Sequence, residues 1–85
     1  MNIKDTYNDL KGLQQTKSQR HFSMVFLSKS PSYLSMLTAT GRQPSTNTLI
    51  HLSQYISAIA AESPAPLAQH LSSLSKQVLE EALHK

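Results

Sequence analysis

Cysteine and tryptophan are absent, glycine occurs only twice, and no acidic residue stands between Asp9 and Glu62. Without cysteine there is no disulfide framework, and a structural zinc site is not expected. With Gly12 and Gly41 as the sole glycines, no glycine-rich loop is available to cradle a phosphate. The segment MNIKDTYNDLKG lacks the continuous apolar run of a signal peptide, and no later stretch approaches the ~20 apolar residues of a membrane span. These absences predict a soluble, cytoplasmic protein. A chain of 85 residues is one domain at most. At that size only about 60% of the unfolded surface is buried, so the core is thin and oligomerisation is the expected reinforcement.

The missing acids make the placement of charge informative. Net charge is +3, and the acids are Asp5, Asp9, Glu62, Glu80 and Glu81. Between the two acidic ends, Lys11, Lys17, Arg20, Lys29 and Arg42 have nothing in the sequence to neutralise them. The bland reading is a serine-rich chain that happens to carry few acids. The sharper one is a set of short helices suited to a polyanion, which makes duplex DNA the first partner expected.

Helix signals punctuate the whole chain. A first helix is predicted over residues 4–11, with Ile3, Tyr7 and Leu10 on one face and Gly12 as the stop. Ser18 is a good N-cap for a second helix over 19–27, where Phe22, Val25 and Phe26 form a stripe and Ser23 allows close approach of another helix. Ser30-Pro31 reads as N-cap plus proline at the first helical position, opening a third helix over 31–39 that buries Leu34 and Leu37 and ends at Gly41. Ser45 caps a fourth helix over 46–60, with Leu49, Ile50, Leu52, Ser53 and Ile56 on its apolar face. The Pro64 and Pro66 break precedes a fifth, amphipathic helix carrying Leu67, Leu71, Leu74, Val78 and Ala82, with Leu79 and Leu83 beside them.

Two short helices joined by a tight turn match the helix-turn-helix arrangement, whose second helix enters the major groove. The string SPSYLSML, followed after a three-residue tail by GRQPSTNTLIHLSQYI, resembles the Cro/CI-type, lambda repressor-like helix-turn-helix domain. In that family a Gln opens the first helix of the motif, a Ser-Pro-Ser-Tyr-type sequence opens the recognition helix, and a Gly-Arg-x-Pro-Ser-x-x-Thr-Leu segment leads into the next helix. The resemblance covers about residues 19–56, just under half the chain. One departure stands out: the family usually has glycine at the turn, whereas this chain has Leu27 there and is one residue longer. The turn is expected either to add a half-turn to the second helix or to loop out around Lys29.

The resemblance implies an all-α fold, a five-helix lambda repressor-like domain with an extended amphipathic C-terminal helix. Residues 1–62 are expected to form the DNA-binding domain, and residues 63–85, by the apolar stripe of their amphipathic helix, the dimerisation element. Ser32, Ser35 and Met36 would face base edges, since Leu34 and Leu37 must face the core. Tyr33 would lie against a base edge or a phosphate, or else be a half-packed aromatic. Gln19 resembles the family's backbone-clamping glutamine, and Lys17, Arg20, Lys29, Thr40 and Arg42 flank the same face as phosphate contacts. For Lys17 and Arg20 a solvated surface charge is the plain alternative.

Leu71, Leu74, Val78, Leu79 and Leu83 are the expected homodimer contacts. The same stripe could instead fold back on the first and fourth helices, or do both with different edges. The implied function is a sequence-specific, double-stranded DNA-binding transcriptional regulator, a homodimeric repressor of a promoter-proximal operator with half-sites about one helical turn apart. Repression is expected because a chain this short has no room for a ligand-sensing domain. The rival is a helix-turn-helix antitoxin or adaptor whose C-terminal helix docks on a partner protein. No enzyme, metal or cofactor is expected: His21, His51, His70 and His84 lack metal-ligand spacing, and a nucleophilic serine needs a base and usually an orienting acid, whereas no acid lies between Asp9 and Glu62.

Overall fold

The protein is described by a computed structural model covering residues 3–84. Among these residues the chain is entirely helical, with five helices and no strand. Its contacts group into two units that divide between Pro44 and Ser45.

The first unit begins with α1, Ile3–Gly12, which buries Ile3, Thr6, Tyr7 and Leu10 at helical spacing. Asp5 in the first turn and Lys11 in the last complement the helix dipole. The helix does not stop at its glycine. Gly12 is the last helical residue, and Gln14, at φ 61°, takes the left-handed position. There the Gln15 N–H bonds the Leu10 carbonyl at 2.9 Å and the Gln14 N–H bonds the Lys11 carbonyl at 3.0 Å, the paired closure of a Schellman motif.

The second helix, α2, covers residues 19–26. Ser18 caps it as predicted, extended at φ −159° with its Oγ accepting the His21 N–H at 3.2 Å. After one α-helical turn, Gln19–His21, the helix widens into a π-helical stretch, Phe22–Phe26. The Leu27 N–H reaches the Phe22 carbonyl at 3.2 Å, and the Lys29 N–H reaches the Ser23 carbonyl at 2.9 Å past a left-handed Ser28 at φ 53°. Widening changes what is buried. A π turn stacks residue i+5 near residue i, so Leu27 joins Phe22 and Phe26 in the core while Val25, expected there, is only half-buried. Tyr7 and Phe22 lie 5.5 Å apart between ring centroids, and Phe22 stacks on Phe26 at 5.5 Å, which ties α1 to α2.

The third helix, α3, is Tyr33–Thr40 and buries Leu34 and Leu37. It starts two residues later than Ser30-Pro31 suggests, because a turn from the Ser30 carbonyl to the Tyr33 N–H, 3.1 Å, comes first. Ser32 is then the capping residue, without a side-chain bond to the helix. Gly41 ends it in the left-handed conformation at φ 67°, with the Arg42 N–H on the Leu37 carbonyl at 3.1 Å.

The second unit is a pair of packed helices, α4, Thr46–Ala61, and α5, Leu67–Leu83. Ser45 caps α4 by accepting the Thr48 N–H at 3.2 Å, and its hydroxyl also meets that of Thr48 at 2.9 Å. Leu49, Leu52, Ile56 and Ala60 of α4 and Leu71, Leu74, Val78 and Ala82 of α5 are buried. Ser53 and Ser75, both buried, bond each other across the pair. Among the described residues, no helix is long and apolar enough to cross a membrane.

Candidate functional site

The residues that sequence places at base edges lie on α3 and on the turn before it. Ser32, Ser35 and Met36 are exposed, Met36 to 46%, while Leu34 and Leu37 between them are buried. The helix therefore has one face in the core and the opposite face open. Tyr33 is half-buried, and the Lys29 ammonium sits 5.7 Å from its ring centroid, within cation–π range. Lys29 is thus held over the start of α3.

Two polar residues of α2 fix α3 in place. Ser23 is fully buried, and its Oγ donates to the Gln19 carbonyl at 2.8 Å while accepting the Leu34 N–H at 3.1 Å. That bond satisfies a backbone donor at the start of α3, one of those that an α-helix cannot satisfy for itself. Gln19 makes a second link, its Oε1 accepting the Ser35 hydroxyl at 3.1 Å. The first residue of α2 and the exposed face of α3 are therefore joined by side chains as well as by packing.

The cations sit around this face. Arg20 shares a shallow depression with Pro31, Ser32 and Ser35, which brings it to the opening turn of α3. At the other end, Arg42 lines a depression with Lys4, Thr38 and Gln43. Lys4 was not among the residues singled out from sequence. Only the packing of α1, which sequence spacing does not reveal, brings it near Arg42. Lys17 is exposed in the link before α2. Thr40 is exposed but its hydroxyl already donates to the Met36 carbonyl at 2.8 Å, so what it offers outward is lone pairs rather than a proton.

The link before α2 is itself ordered by side chains. Buried Thr16 meets His21 Nδ1 at 2.7 Å and the Ser18 carbonyl at 3.3 Å. Its hydroxyl thus steadies the capping turn on which Gln19 and Arg20 depend. Every described buried side-chain nitrogen or oxygen has a partner.

On α5 the five apolar residues expected at a dimer contact divide. Leu71, Leu74 and Val78 are buried in the chain's own fold, whereas Leu79 is 39% exposed and Leu83 70% exposed. Leu79 borders a shallow depression with Ser57, Ala58 and Ala61 of α4. Neighbouring α4 contains no lysine, arginine, aspartate or glutamate over its whole length.

The chain belongs to a family of unknown function, DUF6626, whose profile matches residues 3–85. No curated protein and no solved structure matches it.

Proposed function

We propose that this member of a family of unknown function is a duplex-DNA-binding regulator of the Cro/CI helix-turn-helix kind, with α3 as the helix that enters the major groove. The observation that carries the reading is the division of α3 into a buried edge, Leu34 and Leu37, and an exposed one, Ser32, Ser35 and Met36. That exposed edge is fixed to α2 by Ser23 and Gln19 and flanked by Arg20, Lys29 and Arg42. Cations around a neutral surface divide the labour as DNA readers do: charge positions the protein on phosphates, and the neutral side chains meet base edges.

The reading includes a homodimer that occupies an operator and thereby represses. On α5, Leu79 and Leu83 are the exposed leucines that can meet a second copy, and the uncharged α4 face beside Leu79 lets two positively charged chains approach. The same two leucines would serve an adaptor that docks on another protein, and a monomer that binds no duplex favours that alternative.

Titrating the full chain with a labelled random-sequence duplex between about 50 and 200 mM salt tests the reading. With about three phosphates neutralised per subunit, a dimer gives a log-log salt slope near −5, at ~0.9 per phosphate. Absence of binding at the lowest salt would sink it.

A further inference from the structure

Resting on the DNA-binding reading above, we propose that Ser35 reads the amino group of a base, adenine N6 or cytosine N4, because Gln19 holds its one hydroxyl proton. A serine hydroxyl has one proton to donate and two lone pairs that accept. Left free, it can serve donors and acceptors alike and discriminates little among bases. Ser35 is not left free: its Oγ–H donates to Gln19 Oε1 at 3.1 Å. What its exposed oxygen presents outward is lone pairs alone.

The arrangement is held from below. The Gln19 carbonyl accepts the Ser23 hydroxyl at 2.8 Å, and Ser23 Oγ accepts the N–H of Leu34, the residue before Ser35, at 3.1 Å. Gln19, Ser23, Leu34 and Ser35 therefore close a ring in which two of the hydrogen bonds rest on a fully buried side chain. With Oε1 occupied by Ser35, the Gln19 amide has its two N–H donors left to offer, which suits a phosphate oxygen and not a base acceptor at Ser35's position.

In the major groove, guanine shows N7 and O6 and thymine shows O4, all acceptors, while adenine N6 and cytosine N4 are donors. An acceptor-only hydroxyl pairs with the last two. Each base pair carries one such amino group in the major groove, so Ser35 does not separate A·T from G·C. It selects the orientation of the pair, with the amino-bearing base on the contacted strand and the keto-bearing base opposite. Gln19 is then a positioning residue for specificity, acting through Ser35.

Selection of sites from random duplex DNA with the full chain, alongside Ser35→Ala, Gln19→Leu and Gln19→Glu, tests this. The position that becomes degenerate in S35A identifies the base pair Ser35 meets. There the wild-type chain should favour A or C over G or T on one strand by about fivefold, the worth of one hydrogen bond. Q19L releases the Ser35 proton and should admit all four bases. Q19E, whose carboxylate still accepts that proton but donates nothing to a phosphate, should keep the preference at lower affinity. G or T enriched at that position, an amino preference surviving in Q19L, or an S35A consensus unchanged everywhere would each overturn the inference. Failure of the DNA reading looks different: the wild-type chain retains no duplex from the pool.

Discussion

Ser53 and Ser75 exchange hydrogen bonds across the α4 and α5 pair, each hydroxyl donating to the other's carbonyl at 3.0 and 2.7 Å, with their oxygens 3.1 Å apart. Both side chains are small, so the helices approach closely, and each polar group is satisfied where water has little access. Removing either hydroxyl takes away one hydrogen bond and the contact between the two oxygens, while the remaining hydroxyl keeps the backbone carbonyl it donates to. Ser53→Ala and Ser75→Ala should each cost about 1 kcal/mol, and the double variant less than the sum of the two. Urea unfolding at unchanged m-value measures the coupling. Strict additivity would mean that the pair does not act as a unit.

The end of α1 has its glycine two positions early. Gly12 is helical with open space where a Cβ would stand, whereas Gln14 bears the left-handed conformation at φ 61°. Gly12→Ala should stabilise the chain by roughly 0.5–1 kcal/mol, and Gln14→Gly by about 1 kcal/mol through relief of the left-handed cost. Each corresponds to a rise in melting temperature of about 4–8 °C per kcal/mol for a domain of this size. Gly41→Ala is the opposite case, since φ 67° penalises any Cβ there even though nothing crowds it, and the melt should fall.

Phosphate and base contacts on the DNA reading separate by their response to sequence. Arg42 is exposed at the C-terminal end of α3, and Arg42→Ala should weaken binding to every duplex alike and flatten the dimer's salt slope by about two, one phosphate being lost per subunit. Ser32→Ala with Met36→Ala should instead change which duplexes are preferred while leaving the slope in place. If the helix-face pair alters neither the selected site nor its ranking, α3 is not the reading helix.

Local signals served well where the physics is local. Ser18 and Ser45 cap their helices through bonds three residues away, and Gly41 sits where a left-handed residue is required, so all three were legible. What escaped depends on partners distant in sequence or on register. As a small residue Ser23 signals a close approach, but its bond to Leu34 spans eleven residues and no periodicity reveals it. The link from Gln19 to Ser35 spans sixteen. The widening of residues 22–26 shifted burial from Val25 to Leu27, because a stripe counted at helical period assumes that the register never slips. Likewise the leucine stripe of α5 announced an amphipathic helix without saying what covers it.

That division of the α5 stripe decides how the proposed dimer is to be tested. Leu71, Leu74 and Val78 are buried and pack within the fold, so ending the chain at Glu62 would remove the cover from Leu52 and Ile56 of α4 and confuse unfolding with loss of pairing. Leu79 and Leu83 are the informative positions, being 39% and 70% exposed. Leu79→Gln combined with Leu83→Gln keeps a good helix former at each site and removes the exposed apolar area, with some loss of packing at Leu79, which is more than half covered. The melt of such a chain at low concentration should fall only modestly and stay cooperative, because the buried Leu71, Leu74 and Val78 are untouched. Sedimentation should show the wild-type chain as a dimer and the double variant as a monomer, with binding to a two-fold symmetric duplex weaker by on the order of a hundredfold once the second half-site is no longer tethered to the first. A double variant that still sediments as a dimer would place the interface away from α5, and the uncharged face of α4 at Ser57, Ala58 and Ala61 would be the next surface to substitute.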